Sequence, residues 1–246
     1  MTVVAAETSS AHVISTEAGL ERVSASPQLL ELLGQFCVAD SRPEEVFRGI
    51  PSIGMGCNSE VHEVDGMAVK LSTDTTGRSA WLLGNSEPEN LLNQFRFMDA
   101  LATYFDGNTE VTAPDQYVAL RTRHGAFLSV QQYMDGWQSL QSWLDGQVVP
   151  QDNPAPILAA VKDRIKGNVD HPLIRLGLED LGLHKWRPLH TKNILVPSDT
   201  DRADEAQLCI IDQPSQRLYG HLAVAGLRVA ARTHAALPRP VAAANS

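Results

Sequence analysis

The sequence is poor in the residues that build disulfide frameworks and metal clusters. Its 246 residues include three widely spaced cysteines, and its eight histidines form no His-x-x-x-His pair. This usage favours reduced thiols over disulfides and argues against a zinc site. We therefore interpret Cys37, Cys57 and Cys209 as reduced thiols, with Cys209 inside a core strand.

Long hydrophobic runs and an excess of basic residues are also missing. Met1 to Glu17 lacks the basic start and the apolar core of a signal peptide, and no stretch approaches the length of a membrane span. The net charge of -9 argues against general binding to nucleic acid, because most of the surface would repel phosphates. We therefore expect a cytoplasmic protein that binds neither membranes nor nucleic acid. A hydrophobic content of 43% is enough for one bilobal unit or two small subdomains.

The segment from Ile53 to Lys70 carries the strongest local pattern in the chain. Gly54 and Gly56 would let backbone amides approach phosphate oxygens closely, and Lys70 could add a positive charge to the same oxygens. The glycines lead into a strand and not into a helix, which is unlike a Rossmann fingerprint or a Walker A loop. The sequence therefore predicts a phosphate-binding loop on a β-hairpin.

The hairpin turn is predicted at Asp65-Gly66, between two apolar runs. A two-residue turn pairs Val64 with Met67 and Val61 with Lys70, and it pairs Glu63 with Ala68. Strand alternation then places Val61, Ala68 and Lys70 on one face. Two small apolar side chains beside a lysine suit a flat base and its phosphates.

These residues resemble the glycine-rich loop and the lysine strand of the protein-kinase-like superfamily. The resemblance extends over Gly54-x-Gly56-x-x-Ser59-x-Val61 and Ala68-Val69-Lys70, with Ser59 where the family has a third glycine. It implies that ATP lies against this hairpin. An ordinary hairpin with a surface lysine is the alternative interpretation.

Two later segments resemble further parts of the same superfamily, in the same order. The stretch from Phe127 to Leu140, a strand followed by a polar crossing, resembles the hinge, where backbone groups near Gln132 to Met134 would hydrogen-bond the adenine edge. A helix is predicted to begin at Ser139. Leu189–Val196 resembles the catalytic loop.

The resemblance also implies a Mg²⁺ site. Asn193 and Asp212 would supply an amide oxygen and a carboxylate at the ends of two paired strands, and Mg²⁺ prefers such hard oxygen ligands. Asp212, together with Lys70, is the expected catalytic residue. The alternative interpretation is that Asn193 and Asp212 are turn formers at strand ends.

Pro188 is the main departure from the superfamily pattern, because it stands five residues before Asn193, where the family has the catalytic aspartate. Proline has no base to offer. Four other residues could substitute as the base, and no spacing selects among them: Glu179, Asp180, His184 and His190.

The helix predicted from Glu87 to about Phe105 departs in a second way. Its apolar stripe places Gln94 where kinase-like proteins carry the glutamate that pairs with the strand lysine. Glu89 is the acidic alternative, although Ser86-Glu87-Pro88-Glu89 also has the form of a capping box.

The expected fold class is α+β, a bilobal protein-kinase-like fold with a β-rich N-lobe and a reduced, mainly helical C-lobe. The predicted organisation is a loose leader (1–25), an N-terminal helix and β-rich nucleotide-binding lobe (26–130), a reduced helical lobe (131–232) and a frayed tail (233–246). Helices are predicted at residues 27–40 and near Ile157 to Lys166.

Two functions follow from the resemblance. The first is an atypical kinase that binds ATP and Mg²⁺ and transfers the γ-phosphate to a hydroxyl acceptor. The second is a catalytically inactive pseudokinase that binds a protein partner or regulates it. Lys70, Asn193 and Asp212 favour the first, whereas Pro188 and Gln94 favour the second.

Overall fold

The structure is a computed structural model that describes residues 12–15, 17–37, 43–55, 59–72, 88–121, 127–146, 153–183 and 188–211. Four residues singled out from the sequence lie outside these ranges: Gly56, Cys57, His184 and Asp212. The predicted capping residues 86 and 87 and the predicted tail also lie outside them.

Helices and strands come in groups along the described residues. The helices are α1 (Glu17–Ser24), α2 (Pro27–Cys37), α3 (Pro43–Val46), α4 (Pro88–Tyr104), α5 (Leu140–Gly146), α6 (Ala155–Gly167) and α7 (Pro172–Leu178). Short 3₁₀ turns lie at Glu179–Leu181 and Thr191–Asn193. The strands are β1 (His12–Ser15), β2 (Ser52–Met55), β3 (Ser59–Val64), β4 (Met67–Ser72), β5 (Val111–Thr112), β6 (Gln116–Arg121), β7 (Phe127–Gln132), β8 (Trp137–Ser139), β9 (Ile194–Pro197) and β10 (Leu208–Ile210).

The helices predicted from sequence are confirmed with small changes at their ends. The helix predicted from Glu87 to about Phe105 is α4, the one predicted at 27–40 is α2, and the one predicted near Ile157 to Lys166 is α6. The helix start predicted at Ser139 is also confirmed, because the Ser139 hydroxyl accepts the Ser142 N–H at 3.0 Å in the manner of an N-cap.

Within the described residues the strands form a larger and a smaller sheet. The larger sheet has the order β1-β6-β7-β4-β3-β2, and the smaller one has the order β5-β10-β9-β8. The larger sheet is antiparallel throughout, whereas β5 and β10 of the smaller sheet are parallel. The predicted α+β fold class, with a β-rich region followed by a mainly helical one, is confirmed.

The predicted hairpin is confirmed in register. β3 and β4 pair Val64 with Met67, Glu63 with Ala68 and Val61 with Lys70. Asp65 and Gly66 have φ values of 50° and 73°, so both turn residues are left-handed, as a type I′ turn requires.

One face of this hairpin is covered by the N-terminal helices. Val64, Val69 and Leu71 are buried in one cluster with Leu29 and Phe36 of α2. The Ser26 hydroxyl accepts the Leu29 N–H at 3.1 Å, which caps α2, and it donates to the Asp65 carboxylate in the hairpin turn. The N-terminal helices thus pack on the Val69 face of β3 and β4.

The sequence prediction of a loose leader over residues 1–25 was wrong for its second half. Residues His12–Ser15 form β1, which pairs antiparallel with β6, and residues Glu17–Ser24 form α1. Val23 of α1 is buried in the same cluster as α2. Both elements are short and depend on partners far along the chain, which local periodicity does not reveal.

Helix α4 joins the two sheets through separate clusters. Phe95 packs with Ala119 of β6 and Phe127 of β7, whereas Phe97 and Leu101 belong to the larger core of the helical region. That core is completed by residues of α5, α6, α7, β9 and β10: Leu140, Trp143, Val161, Ile165, Ile174, Leu178, Ile194, Leu208 and Ile210. Because α4 contributes residues to both clusters, it connects the larger sheet with the core of the helical region.

Candidate nucleotide site

The candidate site is built on the hairpin face opposite the N-terminal helices. Cross-strand pairing places Val61 beside Lys70, and strand alternation places Ala68 on the same face as both. Ala68 is buried, while Val61 and Lys70 are half-buried. The prediction that these side chains share a face is therefore confirmed by the register.

The same face continues across β7. Lys70 pairs with Ser129, and Ala68 pairs with Gln131. Phe127 lies two residues from Ser129, so the contact between Phe127 and Phe95 puts helix α4 on the lysine face. Gln94, the residue before Phe95, is half-buried. Its pairing with Lys70, or that of Glu89, stays a prediction.

The glycine-rich segment forms the edge of the sheet. Gly54 pairs with Val61 after a bulge between Ser52 and Gly54, and Ser59 begins β3 opposite Ser72. A Cβ added to Gly54 would meet the Val61 Cβ at 3.8 Å, an ordinary contact. Packing within the protein therefore does not require glycine at position 54.

The segment predicted as a hinge runs from β7 into β8. The Gln132 N–H donates to the Asp115 carbonyl at 2.9 Å, and the Met134 carbonyl accepts the Trp137 N–H at 3.3 Å. Between them, Gly136 turns the chain with a φ of 75°. The Gln132 N–H is therefore already bonded within the protein.

The asparagine turn lies where the smaller sheet begins. Asn193 ends a 3₁₀ turn, its N–H donates to the His190 carbonyl at 2.9 Å, and its carbonyl accepts the Ile211 N–H at 3.1 Å. β9 and β10 follow as an antiparallel pair with Ile210 opposite Ile194. The predicted strand pair is thus confirmed, and the last described residue, Ile211, contacts Asn193. Asp212 follows it in sequence and lies outside the described residues.

Pro188 is exposed and leads directly into the asparagine turn. Of the four candidate bases, His190 lies in the same turn as Asn193 and is exposed, whereas Glu179 lies in the other 3₁₀ turn. The side chain of Asp180 and the whole of His184 lie outside the described part of the structure. A base role for any of the four residues stays a prediction.

Sequence reasoning missed the support of the asparagine turn by helix α5. The Thr191 hydroxyl donates to the Gln141 side-chain oxygen at 2.7 Å, and Gln141 also donates to Asp145 at 2.8 Å. These residues are fifty positions apart, so no local pattern could have paired them.

Two ionisable groups, one on helix α4 and one in strand β10, have pKa values that burial raises. Burial, with a smaller contribution from the charge of Asp115, raises the pKa of Asp99 on α4 to about 6. Burial also raises the pKa of the Cys209 thiol well above its usual range. Cys209 lies in β10 and is fully buried, which confirms its prediction as a core strand residue.

The described residues contain no group of three or more His, Cys, Asp or Glu side chains that could hold a metal ion. Within the same residues, no helix has the length and the apolar character needed to cross a membrane.

The predicted parts that lie within the described residues follow one another in the predicted order. A glycine-containing edge strand, a lysine strand, a helix packed on the lysine face, a connecting segment and an asparagine turn follow one another between Ser52 and Ile211. This is the order that the resemblance to the protein-kinase-like superfamily implies. Strand β1 and helices α1–α3 precede the glycine segment.

No protein-family model matches the sequence, and no curated protein matches it. Solved structures similar to the chain include the PknI kinase domain of Mycobacterium tuberculosis, with 14% identity and a TM-score of 0.43, over 66% of this chain and 56% of that one. This chain thus matches little more than half of the PknI domain.

Two further similar structures are kinases described as complexes with AMP-PNP. Rad53 1-466 shares 16% identity at a TM-score of 0.39, over 78% of this chain and 46% of that one. The maize SIRK1 kinase domain shares 14% identity at a TM-score of 0.40, over 83% of this chain and 67% of that one.

Proposed function

We propose that this chain binds ATP with Mg²⁺ in a cleft that would lie against the Lys70 face of the β3–β4 hairpin. The observation that carries the proposal is the shared face of Val61, Ala68 and Lys70, which lies opposite the face buried by helix α2. Val61 and Ala68 would cover the base, and Lys70 would neutralise phosphate charge. Backbone groups from Gln132 to Met134 would hydrogen-bond the edge of the base.

The glycine segment would approach the phosphates from above. Gly54, Gly56 and Ser59 are assigned to this role. Gly54 lies beside the bulge that follows Ser52, and the missing Cβ there would also allow phosphates to come close to the backbone.

Mg²⁺ would be held by Asn193 and Asp212. The Ile211 N–H bond to the Asn193 carbonyl supports this assignment, because it brings the chain to Asn193 one residue before Asp212. An amide oxygen and a carboxylate fit a hard divalent cation, and two protein ligands are common when substrate phosphates and waters complete the shell. The bound ion would neutralise charge on the phosphates.

Binding of ATP, measured by titration calorimetry with and without Mg²⁺, tests the site. Lys70→Ala should weaken affinity in both conditions, because a phosphate partner is lost. Asp212→Asn should weaken binding mainly with Mg²⁺, because it removes a charged ligand of the ion. Lys166→Ala, on helix α6, is the matched control and should bind as the wild type does. Equal affinities in all four proteins would refute the site.

Transfer of the γ-phosphate is the activity we assign to the site, with Lys70 and Asp212 as catalytic residues. Phosphoryl transfer depends mainly on positioning and charge neutralisation, so a missing base lowers the rate without abolishing the reaction. Incubation with γ-labelled ATP and either Mg²⁺ or Mn²⁺ should label the protein itself or an acceptor in a mixed extract. Asp212→Asn should abolish the signal.

A pseudokinase that binds a protein partner or regulates it is the second candidate. The exposed Pro188, in the position of the catalytic aspartate, favours it. Absence of labelling by a wild-type protein that binds ATP would support this candidate over transfer. Pro188→Asp should then gain labelling only if the remaining cleft is competent.

A further inference from the structure

The turn at Leu181–Leu183 lies directly beneath the segment that leads to Asn193. Gly182 follows the first 3₁₀ turn with a φ of 87°, and its N–H donates to the Glu179 carbonyl at 3.0 Å. Leu181 and Leu183 on either side are buried in the core of the helical region. The turn is therefore fixed at both flanks.

Gly182 makes backbone-to-backbone contact with the loop above it. A Cβ at this position would lie 1.9 Å from the Pro188 carbonyl oxygen and 2.9 Å from the Leu189 Cα. The conflicting atoms are backbone atoms, so a side-chain rotation cannot relieve the overlap. The His190 N–H, which donates to the Leu181 carbonyl at 3.0 Å, closes the same contact.

A displacement of Pro188 and Leu189 would also displace Asn193. The His190 carbonyl accepts the Asn193 N–H, so residues 190–193 form one rigid turn. Leu189 is buried, and it cannot slide outward without exposing apolar surface. A side chain at position 182 must therefore lift the loop, change the orientation of the asparagine turn, or do both.

We propose that Gly182 is a positioning residue for the Asn193 side chain, and through it for the bound Mg²⁺. This inference rests on the proposed function, since Asn193 is a metal ligand only if the cleft binds Mg²⁺ with nucleotide. The absence of a Cβ at position 182 lets the loop lie close to the core and sets the distance of Asn193 from the site.

The test is the ratio of ATP affinities with and without Mg²⁺, measured by calorimetry on the full chain. Gly182→Ala should lower this ratio about tenfold or more, the loss typical when the support of a metal ligand is removed. Affinity without Mg²⁺ should change little. Gly182→Asn should behave in the same way, because asparagine tolerates the left-handed φ but keeps the Cβ.

Two glycine controls separate the possible causes. Gly107→Ala has the same strain, with a φ of 76°, but no atom within 4 Å of the added Cβ, so its affinity ratio should be that of the wild type. Gly146→Ala, also without a neighbour within 4 Å, should be neutral. A ratio lowered equally by Gly107→Ala and Gly182→Ala would overturn the positioning role.

The remaining outcomes are equally decisive. An unchanged ratio in Gly182→Ala, with normal ATP binding by the wild type, would overturn this inference and leave the proposed function intact. No binding by the wild type would contradict the proposed function, and this role with it. Failure of both position-182 variants to fold, while Gly107→Ala folds, would mean that Gly182 serves the core alone and would also overturn the inference.

Discussion

Asp99 gives the chain a stability that depends on pH. Burial, aided by the charge of Asp115, raises the pKa of this carboxyl from 3.8 to about 6 in the folded protein. A raised pKa means that the folded state favours the protonated form. The resulting stabilisation is fully present below pH 4 and is lost as the pH rises through 6.

Asp99→Asn should remove this dependence, because an amide stays neutral at every pH. Each pH unit between the two pKa values corresponds to about 1.4 kcal/mol, so the variant should gain up to about 3 kcal/mol at pH 8 relative to the wild type. The gain should be constant above about pH 7 and should shrink between about pH 6 and pH 4.

Urea unfolding followed by tryptophan fluorescence between pH 4 and pH 8 measures the effect. Asp163→Asn, which changes an exposed carboxylate on α6, is the matched control and should show no comparable rise with pH. A difference between Asp99→Asn and wild type that stays constant from pH 4 to pH 8 would refute the account of Asp99.

Two further substitutions test contacts that hold the site from a distance. Ser26→Ala should cost about 1 to 2 kcal/mol of unfolding free energy, because the hydroxyl both caps α2 and donates to Asp65. An unchanged unfolding free energy in a urea titration would contradict this role of Ser26. Gly177→Ala should cost about 1 to 3 kcal/mol by overpacking, since its Cβ would lie 2.2 Å from the Phe97 ring. Gly34→Ala, inside α2 and with no atom within 4 Å of the added Cβ, should stabilise the protein by up to about 1 kcal/mol in the same assay.

The hairpin could be predicted from sequence because its signals are local. Asp65 and Gly66 determine the turn type, and the turn then determines every cross-strand pair up to Lys70. Helix α4 was predicted to within one residue at each end because its apolar spacing is long and regular. Local sequence signals are therefore sufficient to predict such elements.

The supports of the candidate site could not be predicted, because they join distant parts of the chain. Thr191 meets Gln141 across fifty residues, and β1 pairs with β6 across about one hundred. The need for glycine at position 182 depends on where Pro188 packs, which only the folded structure reveals. The sequence predicts the hairpin face on which Lys70 lies, but not the distant contacts that hold the asparagine turn in place.

The hairpin also offers the most direct test of the nucleotide site, since its two faces provide an internal control. Val61 and Ala68 lie on the proposed ligand face, whereas Val69 and Val130 are buried on the other. Methyl NMR spectra of the valine- and alanine-labelled protein should show shifts at Val61 and Ala68 when ATP and Mg²⁺ are added, because the base would stack against them. Val69 and Val130 should change little. Shifts confined to Val69 and Val130, or no shifts at saturating ATP, would contradict a nucleotide site on this face.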